Sequence, residues 1–194
     1  MTETPQPGDF AVIDTGGRTS ALLRGLEWLS DTVETNAFAK RESQWDHAAI
    51  CTQVVTGPPA VRADGSVADG DTVVFIVEAE RGGAREVPWH YEGRPFKWST
   101  GVIDMSDGQR ILAAETARGL ADKHVGYSDL DYLALTLHSL HIPAPGLKAL
   151  IGDTHRMICS QLVDYCCLQA GVHLYDDGRW PGFVKPSDLG ALIC

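Results

Sequence analysis

The chain has 194 residues, enough for one domain with a sizeable core, and its 44% hydrophobic and 22% charged content is that of an ordinary globular protein. The formal net charge is -10 and no basic run is longer than Lys40-Arg41. That argues against nucleic-acid binding and against docking on an anionic membrane surface, both of which need clustered cations.

Residues 1–7 are polar and proline-containing and are expected to be loose; the whole chain, 1–194, reads as one domain without repeats or a linker. DFAVIDT (9–15) reads as a first strand closed by Gly16-Gly17. Leu22, Leu26, Leu29 and Val33 recur at helical steps, so 19–35 is expected to be an amphipathic helix capped by Thr19 or Ser20. WDHAAICTQVV (45–55) and TVVFIVEAE (72–80) read as strands, with a turn-rich Gly/Pro/Asp loop between them, and are expected to pair as an antiparallel hairpin. Short strand-like pieces with aromatics fill 81–106. A helix is expected from Asp107, its candidate N-cap, to about Lys123, and another over 129–141 after the break at Gly126-Tyr127-Ser128. A Pro/Gly-rich connection (142–154) leads to a helix that starts at Cys159 and stops at Gly171, a natural C-cap residue. The tail GFVKPSDLGALIC is expected to give a short strand and a last helical turn. The class is α+β, a small antiparallel sheet with helices packed on it.

No apolar run approaches the ~18 residues of a membrane span, and MTETPQPGDF shows no basic stretch ahead of an apolar one. No membrane anchor and no signal peptide are read, and the five cysteines are expected to be reduced thiols. Cys159, Cys166 and Cys167 lack the paired spacing of a structural zinc site, and no cofactor motif is present, so neither a metal nor a cofactor is expected. Cys166 and Cys167 sit among apolar neighbours and read as core; Cys51 and the terminal Cys194 read as inert.

Cys159 differs by position, at the first turn of its helix. The N–H groups there lack intrahelical partners, and the dipole favours negative charge. A thiolate would be stabilised in that place, and the same N–H groups can receive an oxyanion. On position alone, a buried structural thiol at a helix start is the favoured reading. A nucleophile needs a base, and of the seven histidines His47 stands at the entry of a strand while the rest lie in loops or at element ends. Glu78 lies in an apolar run, where an unpaired carboxylate is costly, so it should have a partner. A roughly symmetric hairpin would put position 47 near 78–80.

Together these segments resemble the circularly permuted NlpC-type, papain-like cysteine peptidase superfamily, in its YiiX-like branch. The resemblance rests on PGDFAVID, DHAAI, IVEAERGGAREV, KHVGYSDLDYLAL, ICSQLVDYCCLQAGV and KPSDL in that order, over about residues 7–192. Histidine before cysteine is the order that permutation produces. The resemblance implies a permuted papain-like fold with Cys159 as nucleophile, His47 as general base and Glu78 as the residue that orients the imidazole. It implies a cysteine-dependent amidase or peptidase acting on a peptide or cell-wall-derived substrate, such as a peptidoglycan peptide. A lipid acyltransferase and a non-catalytic binding or virion protein of the same fold are the alternatives. The expected location is the cytoplasm, or a virion if the chain is phage-encoded. Oligomeric state is not legible.

Overall fold

The computed structural model describes residues 4–16, 44–61, 67–68, 70–127, 157–176 and 184–194. The helices expected over 19–35 and 129–141, the connection 142–154, the strand expected near 183 and His138, His141 and His155 lie outside them.

Among the described residues the fold is α+β, a five-stranded antiparallel sheet with three helices. The strands are β1 (Phe10–Ile13), β2 (His47–Thr56), β5 (Thr72–Glu80), β6 (Gly83–Pro88) and β7 (Phe96–Trp98), in the spatial order β6-β5-β2-β1-β7. A separate two-stranded ladder, β3 (Ala60–Val61) with β4 (Val67–Ala68), occupies part of the segment expected to be loop only. The helices are α1 (Asp107–Asp122), α2 (Cys159–Gln169) and α3 (Pro186–Ile193).

Alternation along the strands divides the apolar residues between two faces. Phe10, Val12, Ala48, Ile50, Val77 and Ala79 belong to the main core with α1 and α2, which supply Ala113, Ala117, Leu162, Val163, Cys166 and Cys167. Ala11, Ile13, Ala49 and Ile76 face the other way, into a smaller cluster with Tyr91, Trp89, Phe96 and Trp98. With both faces covered, β1 is buried at every position, which is why its sequence is a continuous apolar run.

The hairpin expected from the sequence is present. Ala49 opposes Glu78 and Thr56 opposes Thr72, with an irregularity between Cys51 and Gln53. β5 turns directly into β6 through Arg81 and Gly82, pairing Glu80 with Gly83 and Glu78 with Arg85.

Three local expectations change. Residues expected to be loose include Pro5, which is buried, and Gln6, whose N–H donates to Asp9 Oδ2 at 2.8 Å. The N-cap of α1 is Ser106, not Asp107: Ser106 Oγ accepts from Gln109 N and Gln109 Oε1 accepts from Ser106 N. A hydroxyl there makes a reciprocal box with a glutamine three residues on, leaving Asp107 to act on the helix dipole from inside the first turn. The C-terminal helix is longer than a single turn, with Pro186 at its start, where a missing N–H costs nothing.

Candidate active site

Three elements meet at the site. Cys159 is the first residue of α2, His47 the first of β2, and Glu78 lies near the end of β5. His47 and Ala49 are two apart on one strand face, and Ala49 is opposite Glu78, so His47 and Glu78 are diagonal neighbours on that face. His47 Nε2 lies 3.1 Å from Glu78 Oε2. The carboxyl is fully buried and His47 is nearly so.

Supports around each residue are specific. The entry of β2 is fixed by Asp46 N donating to Ile13 O at 3.1 Å and by Thr15 N donating to Asp46 Oδ1 at 2.9 Å. Trp45 is buried against Gly190 of α3, where any Cβ would collide with the indole. The start of α2 is fixed by Ser160 Oγ, which donates to Val184 O at 2.7 Å, and by Gln161 Oε1, which accepts from Ile158 N at 3.0 Å. Ile158 is the N-cap and offers no side-chain oxygen to the first N–H groups of the helix. That end of α2 therefore keeps the electropositive character an oxyanion needs, without a capping side chain from Ile158 in its place.

Glu78 holds more partners than the sequence suggested. Tyr91 donates to Oε2 at 2.6 Å, sharing that oxygen with His47. Arg85 donates to Oε1 from Nε at 3.0 Å and from Nη2 at 2.8 Å, and its Nη2 also reaches Glu80 Oε2 at 2.7 Å. His90 Nε2 lies 3.7 Å from Glu78 Oε1, and its ring packs on Tyr91 with centroids 4.2 Å apart.

The electrostatics follow from these contacts. Burial, the largest influence on His47, opposes its charge. The negative charge of Cys159 and a hydrogen bond with it, and then the hydrogen bond and charge of Glu78, outweigh burial and raise the imidazole to about 10. Burial likewise opposes the charge of Glu78. The hydrogen bond and charge of His47, with the donors on Tyr91 and Arg85, reverse this and lower the carboxyl to about 2. Because Nε2 is directed at Glu78, Nδ1 is the ring nitrogen left to serve Cys159. The other buried cysteines have no such partner. Burial pushes Cys51 and Cys167 up to about 12 and Cys166 well above its ordinary value, so they remain thiols.

His47, Glu78 and Glu80 also present ligand atoms within 4.8 Å of one another, a spacing a cation could bridge. Arg85 already fills that role, its guanidinium joining both carboxylates.

All three residues singled out from the sequence are thus brought into one cluster. Arg85, Tyr91 and His90 were missed. Arg85 was within reach of counting: a two-residue turn at Arg81-Gly82 pairs position 78 with 85. Tyr91 follows the end of β6 and had no periodic signal. No family model matches the chain, and neither does any curated protein or solved structure. No helix among the described residues is long and apolar enough to cross a membrane.

Proposed function

We propose that this protein is a cysteine-dependent amide hydrolase with a permuted papain-like arrangement, Cys159 its nucleophile, His47 its base and Glu78 the group that orients the imidazole. The observation that carries the reading is the buried 3.1 Å contact between His47 and Glu78, made beside the helix terminus that carries Cys159, whose charge is the largest influence raising the imidazole. A buried imidazole held between a carboxylate and a helix-terminal thiol is costly to build for packing alone.

In the reaction the Cys159 proton passes to His47 Nδ1, while Nε2–H stays on Glu78. The thiolate attacks the acyl carbon, and the carbonyl electron pair moves onto oxygen beside the first N–H groups of α2. Collapse of the tetrahedral species breaks the C–N bond as the imidazolium protonates the leaving amine. His47 then takes a proton from water, whose oxygen attacks the thioester and frees Cys159. The proposed substrates are peptide amides, with peptidoglycan peptides the first to try.

The test uses iodoacetamide on native protein in a Cys194→Ser background, since Cys194 is exposed. At mildly acid pH Cys159 is alkylated while Cys51, Cys166 and Cys167 are not, and turnover of peptidoglycan fragments is lost in Cys159→Ala with the circular dichroism spectrum unchanged. Retained turnover in Cys159→Ala overturns the proposal.

A further inference from the structure

We infer that Tyr91 and Arg85 are positioning residues that clamp the Glu78 carboxylate from two sides and so hold the His47 ring in the one orientation that turns Nδ1 to Cys159. The inference rests on the hydrolase reading for its purpose but on separate contacts for its content.

A carboxylate that accepts a single hydrogen bond can rotate about its last carbon–carbon bond. Glu78 cannot. Its Oε1 accepts from two nitrogens of one guanidinium, and with donors on Oε2 as well both ends of the carboxyl group are held. Its Oε2 takes both the Tyr91 hydroxyl and His47 Nε2. With one oxygen committed to Arg85, the other is the acceptor for the imidazole.

Tyr91 touches both members of the pair. Its hydroxyl bonds Glu78, and its ring packs on the His47 ring with centroids 5.7 Å apart. Tyr91 is held in turn by Trp89, edge-on at 5.3 Å, and by His90. The hydroxyl is thus delivered by a side chain with little freedom of its own. A tyrosine that is buried by its neighbours keeps its proton: burial and the facing Glu78 both push its pKa up, so it remains a donor.

Arg85 supplies charge as well as geometry. Its guanidinium is about half exposed while the carboxylate it grips is fully buried, so it brings a compensating charge to Glu78 from the solvent edge of the sheet. It also ties Glu78 to Glu80, two positions along the same strand face. The hairpin register that places Glu78 opposite Arg85 is therefore part of the site.

Tyr91→Phe, Arg85→Met and Arg85→Lys test this in the Cys194→Ser background, with two readouts. Nitrogen-15 NMR of the histidines follows solvent exchange of the His47 Nε2–H proton, and iodoacetamide alkylation of Cys159 is followed against pH. In Tyr91→Phe and Arg85→Met, exchange of that proton speeds up and alkylation slows, each by about tenfold for the loss of a hydrogen bond to a charged group. Arg85→Lys, which restores the charge but not the two-nitrogen contact, recovers part of the loss. A residue of merely structural importance would lower the melting temperature and leave the imidazole resonance in place. Unchanged exchange and alkylation in both Tyr91→Phe and Arg85→Met overturn the clamp. Should Cys159 of the parent protein resist alkylation, the hydrolase reading falls, while the exchange measurement still decides the clamp.

Discussion

His47 and Glu78 stand on adjacent antiparallel strands and are joined by a single buried contact of 3.1 Å, in a sheet whose register places Ala49, not His47, opposite Glu78. The diagonal placement matters. Directly opposed side chains stand abreast, whereas a diagonal pair lets a long glutamate reach along the face to the ring edge. One nitrogen of His47 is thereby occupied from the sheet, and the other is left to the helix terminus that carries Cys159.

Glu78→Gln keeps the size and an acceptor oxygen but removes the charge that stabilises the imidazolium. Turnover is expected to fall by about tenfold to a hundredfold, as for loss of a hydrogen bond to a charged group. His47→Ala removes the proposed base and is expected to abolish turnover. Steady-state kinetics on the same substrate check the order; an equal loss in both variants would mean that Glu78 does more than orient the ring.

Gly190 is a positioning feature at a distance. It lies in α3, and the Trp45 indole occupies the space that a side chain would need. Trp45 is two residues ahead of His47, so Gly190→Ala is expected to displace the entry of β2. The cost is put at about 1–3 kcal/mol, the usual range for overpacking a core. Urea denaturation measures the stability loss, and the rate of Cys159 alkylation shows whether the displacement reaches the site.

The segment before β1 has its own requirement. Gly8 has φ +86°, and a Cβ there would stand 2.9 Å from Arg110 Cα. Asp9 beside it is buried, paired with Arg110 and hydrogen-bonded by Thr100 Oγ1 at 3.0 Å. Arg110→Met leaves that carboxylate without its cation and is expected to cost about 3–5 kcal/mol, as for one partner removed from a buried pair. In a double-mutant cycle with Asp9→Asn the two changes are expected to cost less together than their sum.

Much of this was legible because period-two alternation and β-branched runs mark β2 and β5, and because an ionisable residue in such a run demands a partner. The strand TVVFIVEAE has the expected bounds, and the Cys159 helix begins at the expected residue. What escaped was set by tertiary contacts. The two-residue strands β3 and β4 are too short to carry a period. Tyr91 reaches Glu78 from beyond β6, where no pattern announces it. The cap of α1 went to Ser106 over Asp107 because a glutamine at the third helical position completes a box with the former. The Arg81-Gly82 turn was readable by its length, yet its consequence, Arg85 beside Glu78, emerges only once the strands on both sides are paired.

The pH dependence of stability follows from the same pair. The His47 pKa is raised from 6.5 to about 10, so its contribution is fully present below pH 6.5 and is lost as pH rises toward 10. The Glu78 pKa is lowered from 4.5 to about 2, so its contribution is present above pH 4.5 and is lost as pH falls toward 2. The two together predict a stability plateau between about pH 4.5 and 6.5, with a decline on either side. The alkaline decline should be specific to the site, because the charge of Cys159 is the largest influence raising His47. Cys159→Ala is therefore expected to flatten the decline between pH 6.5 and 10 while leaving an acid limb below pH 4.5 in place. His47→Gln should flatten the alkaline limb as well and shift the acid limb upward, since Glu78 loses its strongest acid-lowering partner. Melting temperatures of the three proteins measured from pH 3 to 10 test this, and an alkaline limb that persists unchanged in Cys159→Ala would show that the thiol does not share its charge with His47.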